Sequence, residues 1–420
     1  MTSDTSLDWA RGQDAADPLA RLRREFHFPD GPNGPATYLC GNSLGLQPKQ
    51  AKAEVARILG EWQHLAVLGH HHEDSAWMRY EYRLAAPLAR LAGALESEVI
   101  AMHSLTLNLH LLMASFYRPT RERAIVLIER GAFPSDRYAV VSQLRWHGLE
   151  PADALVELAP RPGEVCLRND DIEETIGRIG DRLALVLLPG IHYLTGQVLD
   201  MAAITRATLS AGARVGFDLA HAIGNVPLAL HDWGADFAVW CSYKYLNAGP
   251  GATAGAFIHE RHHVPGTPRL AGWWGNDLDN RFEFARSFRP ARGAAGWQVS
   301  NHPVIAMAPL KASLEQFDAV GLPALVTRSR RLTGYLESLL DEHLGDRVEI
   351  ITPRDPLARG AQLSLRLRTG SAPGRETFEA LISRGVICDW REPDVIRLAP
   401  APLYNSFEDC WRAVDALRRL

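Results

Sequence analysis

Short apolar runs alternate with helical stretches along most of this chain, and that alternation limits the fold more than any other feature. Runs at 99–102, 124–128, 183–188, 214–217, 237–241 and 255–258 have the length and composition of buried strands. Stretches at 105–117, 134–144, 172–179 and 201–211 read as helices and fall between several of them. This order implies an α/β fold whose mostly parallel sheet is covered on both faces. Ligands on such sheets sit beyond the carboxyl ends of the strands, so functional residues are expected just after the runs.

The pattern changes after about residue 310. Helical stretches near 323–344 and 374–384 accompany short strands at 348–351, 362–367, 386–388 and 395–398, and a last helix runs from 407 to the end. A chain of 420 residues is too long for one simple core. The expected division is an N-terminal leader or arm over 1–36, broken by Pro29, Gly31, Pro32, Gly34 and Pro35, a large domain over 37–310, and a smaller α+β domain over 311–420.

Net charge is −4, with no basic stripe and no Lys/Arg-rich amphipathic segment, so neither nucleic acid nor a membrane surface is an expected partner. A small molecule is. The five cysteines, Cys40, Cys166, Cys241, Cys388 and Cys410, are widely spaced and form no C-x-x-C, which fits reduced thiols in the cytoplasm. The start of the chain is polar and acidic, unlike a signal peptide, and the apolar runs are too short to span a bilayer.

The strongest local signal is Ser242-Tyr243-Lys244-Tyr245-Leu246-Asn247, directly after the run 237–241. Desolvation at the mouth of a buried strand lowers a lysine's pKa and makes Lys244 a candidate Schiff-base former. A lysine snorkelling at a strand end is the plainer alternative. Asp218 follows the run 214–217 and lies 26 residues before Lys244, close enough for a neighbouring strand. A carboxylate there suits a cofactor ring nitrogen that must stay protonated, although a helix cap explains Asp218 as well. His221 stands where it can orient Asp218 or touch the ring.

Ser104-Leu105-Thr106-Leu107-Asn108 follows the run 99–102 and opens a helical stretch. Hydroxyls and free N–H groups at a helix N-terminus make an anion site, or simply a Ser/Thr cap. Phe133-Pro134-Ser135-Asp136 follows the run 124–128. Phe133 can stack on a cofactor ring or act as a hydrophobic staple, with Ser135 or Asp136 in the first turn. Gly249, Gly251 and Gly255 lack the spacing of a nucleotide fingerprint. His70-His71-His72-Glu73 invites a metal reading, but adjacent side chains seldom converge on one ion and no second ligand cluster is evident; no metal is expected.

The order Thr106, Phe133, Asp218, His221, Lys244 resembles fold-type I pyridoxal-phosphate enzymes of the class V aminotransferase superfamily. Finer motifs resemble the kynureninase family: Gly41-Asn42-Ser43-Leu44-Gly45, Leu105-Thr106-Leu107-Asn108-Leu109-His110, Asp218-Leu219-Ala220-His221, Tyr243-Lys244-Tyr245-Leu246-Asn247, Gly272-Trp273-Trp274-Gly275, Ser300-Asn301, and Arg397-Leu398-Ala399-Pro400 running into Pro402-Leu403-Tyr404-Asn405-Ser406-Phe407. The likeness spans about 38–412.

That resemblance implies pyridoxal phosphate as cofactor and hydrolytic Cβ–Cγ cleavage of L-kynurenine or 3-hydroxykynurenine, in tryptophan breakdown or a related pathway. It implies that Lys244 holds the cofactor covalently, Asp218 pairs with its ring nitrogen and Phe133 stacks on its ring. Thr106, with the Leu105 backbone, holds the phosphate, helped by Tyr243 and Trp273. Asn301 completes that site from the other subunit of a homodimer. Asp136 and His221 belong to the cofactor site, and Tyr243 carries protons. Arg397 binds the substrate's α-carboxylate with Asn42 nearby. His70 and Ser300 belong at the substrate ring, as in the animal-type members that favour the 3-hydroxylated substrate. The chain departs from the family at Pro189, where many members have Ser or Thr, and at Trp274 and Asn276, where Phe and His are usual. Asn276 is therefore a further candidate at the ring.

A cysteine desulfurase is a rival, but it needs a thiol on a mobile loop, and Cys388 and Cys410 fall in an apparent strand and helix. A non-catalytic pyridoxal-phosphate-binding regulator is another. Against it, Arg397, Tyr243 and Lys244 are all present and no DNA-binding segment is appended.

Overall fold

The computed structural model of the chain describes residues 4–72, 76–283, 286–368 and 374–420. The apolar runs form a seven-stranded sheet of Val99–Ala101 (β1), Ile125–Glu129 (β2), Leu155–Leu158 (β3), Leu183–Pro189 (β4), Arg214–Asp218 (β5), Phe237–Trp240 (β6) and Gly255–Ile258 (β7). Its order is β1-β7-β6-β5-β4-β2-β3. Only β7 is antiparallel to its neighbours, so the mostly parallel sheet expected from the alternation is present. β3 went unread in the sequence because it is a half-exposed edge strand interrupted by Glu157.

Side chains alternate between faces along a strand, and the core divides accordingly. Leu127, Val186, Leu188, Val215 and Phe217 point to one core, with Ile172 and Ile176 of the helix Asn169–Ile179 and Ile204 of Met201–Ser210. Val126, Ile128, Leu185, Leu187 and Val239 point to the other, with Leu109 and Leu112 of Leu105–Phe116 and Val140 of Pro134–Trp146. Burying one such side chain contributes about 1.5–3 kcal/mol on either face, and a one-residue slip would exchange the two sets of side chains between cores packed for the other. The sheet holds the carboxyl ends of β2, β4, β5 and β6 along one edge. Register sets Pro189 beside Asp218, and Asp218 beside Val239.

A second, antiparallel sheet contains Val348–Ile350 (β8), Leu363–Leu367 (β9), Asp389–Arg391 (β10) and Val395–Leu398 (β11), in the order β8-β9-β11-β10. Its register places Arg397 opposite Ser364 on one side and Asp389 on the other. Leu332, Leu336 and Leu340 of the helix Leu322–Leu344 form its core with Phe407 and Val414 of Phe407–Arg418. The strand expected over 386–388 is split. Val386–Ile387 pairs with Thr37–Tyr38, and β10 then starts at Asp389.

The first residues are built into this second unit. The helix Leu7–Ala16 sets Trp9 against Tyr335 and Phe407, with ring centroids 4.6 and 5.9 Å apart. Asp14 accepts the Phe407 and Glu408 N–H groups at 2.8 and 3.0 Å, capping the last helix. Asp17 and Arg328 form a buried ion pair at 2.5 Å.

Candidate active site

A cavity of about 200 Å³ lies at the carboxyl edge of the large sheet. Leu105, Thr106, Phe133, Asp136, Asp218, His221, Tyr243 and Lys244 all line it, together with Glu129, Pro189 and Tyr193. Each is delivered by the end of a strand or the start of a helix. Lys244 follows β6, and its Nζ lies 3.0 Å from His221 Nε2 and 5.8 Å from the centre of the Phe133 ring. The chain carries only three other lysines, Lys49, Lys52 and Lys311, and none lines this cavity. Asp218 ends β5; it is buried, and one oxygen accepts the Ala220 N–H at 2.7 Å. Phe133 precedes the helix Pro134–Trp146 and meets the Tyr193 ring edge-on at 5.3 Å. Leu105 and Thr106 form the first turn of Leu105–Phe116, and Ser104 makes no capping bond there, which leaves first-turn N–H groups available to an anion.

The electrostatics are uneven. Burial, reinforced by the Lys244 ammonium, holds the His221 imidazole well below its usual range, and its Nδ1 has no partner. Burial and the facing Asp218 push the Asp136 carboxyl well above the usual carboxylate range. Glu129, the last residue of β2, is pushed up to about 8 chiefly by burial and then by Asp218. Three carboxyls thus share one dry corner, and like charges cannot all persist there.

Glu129 escaped the sequence reading, although it ends an apolar run as Asp218 does. Its titration has a measurable consequence. Below the ordinary value of 4.5 both folded and unfolded chains hold the proton, and no penalty exists. As pH rises from there to about 8, only the unfolded chain releases it, so stability falls, by at most about 1.4 kcal/mol per pH unit. In urea unfolding of the cofactor-free protein, Glu129→Gln is expected to stabilise at pH 8 and to make little difference at pH 5. An equal offset at both pH values would show that Glu129 is ionised in the fold.

Arg397 and Asn42 sit just outside the cavity wall. Arg397 is buried and donates from Nη1 to the Tyr193 carbonyl at 2.6 Å. Asn42 donates to Gln362 Oε1 at 2.9 Å, and Gln362 donates to the same Tyr193 carbonyl at 3.0 Å. Tyr193, Gln362 and Asp389 were not singled out from the sequence; Gln362 and Arg397 meet the Tyr193 carbonyl from the small sheet, while Asp389 pairs with Arg397 and Arg391 within it.

His70, Trp273, Asn276, Ser300 and Asn301 do not line the cavity. They border a separate cluster on the same chain. His70 meets Trp77 edge-on at 5.6 Å, and the Trp77 carbonyl accepts from His302 at 2.7 Å. His302 packs on Trp274 and lies 3.0 Å from the buried Glu81. Trp273 is half exposed against Trp274, and Ser300 and Asn301 are exposed. The Asn276 side chain accepts the Arg289 N–H at 2.9 Å, so it is engaged in its own loop. Glu73 lies outside the described residues.

Comparison with known proteins bears on this arrangement. The chain resembles the cystine C–S lyase C-DES in complex with cysteine persulfide (TM-score 0.77, 18% identity, 91% of this chain and 97% of that one). It also resembles the cysteine desulfurase CsdA from Escherichia coli (TM-score 0.76, 17% identity, 96% and 98%). At such identities these likenesses establish the fold alone. The family model for the kynureninase C-terminal domain matches residues 325–417. A kynureninase of Xanthomonas campestris pv. campestris (strain 8004) is 54% identical over 415 residues, 99% of this chain and 98% of that one. One of Myxococcus xanthus (strain DK1622) is 54% identical over 416 residues, 99% and 97%. Identity at that level over nearly the whole length of both chains shows that this chain belongs to the kynureninase family.

Proposed function

We propose that this chain is a pyridoxal-phosphate-dependent hydrolase. It cleaves the Cβ–Cγ bond of L-kynurenine or 3-hydroxykynurenine and releases anthranilate or 3-hydroxyanthranilate with L-alanine. The observation that carries the reading is the placement of Lys244 Nζ in a cavity bounded by the buried Asp218, the Phe133 ring and the open N-terminus of Leu105–Phe116. Those groups fit the cofactor part by part: an amine for its aldehyde, a carboxylate for its ring nitrogen, an aromatic face, and N–H donors with the Thr106 hydroxyl for its phosphate. The unpaired Nδ1 of His221 is a further donor or acceptor toward it.

When bound, the cofactor withdraws electrons from the substrate's Cα. The chain's residues do the rest. Asp218 keeps the ring nitrogen protonated, and Asp136, neutral through burial, returns no competing charge. Lys244 would hold the cofactor's aldehyde and, when free, would remove and return the proton at the substrate's Cα. Tyr243, whose phenol burial pushes up, stays protonated and serves as proton donor. Arg397 holds the α-carboxylate in a planar fork, with Asn42 beside it.

The second cluster supports a homodimer with shared sites. Trp273 and Asn301 would complete the phosphate site of a second copy, and His70, Ser300 and Asn276 would face its substrate ring. Leu59, Trp62, Val67 and Leu68 form an exposed apolar stretch on and after the helix Lys49–Leu65, as a face buried by a second copy would. Residues 1–36 then serve as an arm, 37–310 as the cofactor-binding domain and 311–420 as the smaller domain. Among the described residues no helix is long and apolar enough to cross a membrane. A cytoplasmic place in tryptophan breakdown, feeding NAD synthesis through 3-hydroxyanthranilate, goes with this reading.

The test is anthranilate fluorescence with purified holoenzyme on both ring forms, with alanine measured in parallel. One alanine per anthranilate is expected, with higher kcat/KM for 3-hydroxykynurenine. Sulfide from cysteine without anthranilate would favour a desulfurase. Bound cofactor with no turnover of either would favour a regulator.

A further inference from the structure

Arg397 has five N–H donors, and the structure engages them on one side. Nε donates to Asp389 Oδ1 at 2.9 Å, and Nη2 lies 2.8 Å from the same oxygen. Nη1 donates to the Tyr193 carbonyl. One N–H on each terminal nitrogen is left over. Asp389 is the direct cross-strand partner of Arg397 in the β10–β11 pair, so the sheet itself fixes the contact. Its carboxylate is held in turn by Arg391, 2.9 Å away at Nε and 3.2 Å at Nη2. Two guanidinium groups and one carboxylate carry a net single positive charge, which matches one substrate carboxylate.

We propose that Asp389 is a positioning residue for substrate. By occupying the Nε side of Arg397 it leaves only the end-on fork, one N–H from each terminal nitrogen, to take the α-carboxylate of an amino acid beside Tyr193. An arginine free to rotate would offer several anion-binding edges and would lose more side-chain entropy on binding. With Asp389 in place only one edge is open, and a second anion on the Nε side is repelled. The inference rests on the reading of Arg397 as the α-carboxylate anchor.

The experiment uses holoenzyme with Asp389→Ala, Asp389→Asn, Arg397→Lys and the Asp389→Ala/Arg397→Lys double variant. It reads KM and kcat for kynurenine, cofactor content, and the dissociation constant of L-alanine from the change in cofactor absorbance. Asp389→Ala is expected to raise KM and the L-alanine dissociation constant by about 10- to 100-fold, with kcat within about threefold and cofactor content unchanged. Asp389→Asn retains an acceptor oxygen opposite Nε and is expected to recover most of that loss. The double variant should bind little worse than Arg397→Lys alone, because Asp389 acts through Arg397. Equal damage from Asn and Ala would mean that charge, not geometry, matters, and would overturn the proposal. So would unchanged binding in Asp389→Ala while Arg397→Lys weakens it. If Arg397→Lys itself leaves L-alanine binding intact, the anchor reading falls instead.

Discussion

Lys244→Ala is expected to lower turnover of kynurenine by at least about a thousandfold, because it removes both the covalent anchor and the proton carrier at Cα. The wild-type protein should be yellow, and borohydride should bleach it by fixing the cofactor to one peptide. The sequence makes this test sharp. With Lys49 and Lys52 at the start of the helix Lys49–Leu65, and Lys311 paired with Glu54 and Glu315, Lys244 is the sole lysine at the cavity. Label on any of the other three would remove the basis of the proposed chemistry. Lys244→Ala should still bind the cofactor through Asp218, Thr106 and Phe133, so its spectrum should become that of the free aldehyde rather than disappear.

Asp218→Asn should cost about a hundred- to thousandfold in kcat, the scale of removing a preorganised charge from the reacting centre. An amide cannot hold the ring nitrogen protonated, yet it preserves shape and the acceptor for the Ala220 N–H. Cofactor content and KM should therefore change much less than kcat. Unchanged turnover would show that the ring nitrogen does not need its proton. Asp136 sharpens the comparison: burial is the first cause of its neutrality and persists in Asp218→Asn, so it does not take over as the anion.

The large sheet was legible because its strands are buried on both faces and read as unbroken apolar runs. The rule that functional residues follow such runs found Asp218 and Lys244, and applied evenly it would also have found Glu129. Other elements left weaker traces. The helix Lys49–Leu65 buries only Ala51, Glu54 and Ile58, so its apolar stripe is thin. The helices Tyr82–Ala92 and Val304–Val320 contain Pro87 and Pro309, which read as breaks in a sequence. Site residues away from strand ends carried no physical signal of their own. Arg397 lies mid-strand in the small sheet, and Trp273 and Asn301 stand outside the cavity; only likeness to a family singled them out. Tyr193 and Gln362 act through contacts between distant segments, which no local pattern encodes, and Asp389 through a cross-strand pairing that depends on register.

The capping of the last helix by Asp14 spans 393 residues of chain. During synthesis the arm that carries Trp9, Asp14 and Asp17 emerges long before its partners Arg328, Tyr335 and Phe407. Through most of that interval the arm has nowhere to dock, and the Phe407–Arg418 helix, which carries its own Ser406–Asp409 capping box, meets the Asp14 carboxylate only once it has itself been made. Contacts of such separation are the slowest to close. The second unit is thus completed only when both segments are present. A fragment lacking either segment leaves the other with exposed aromatic surface, so docking of the Leu7–Ala16 helix reports that both have been made.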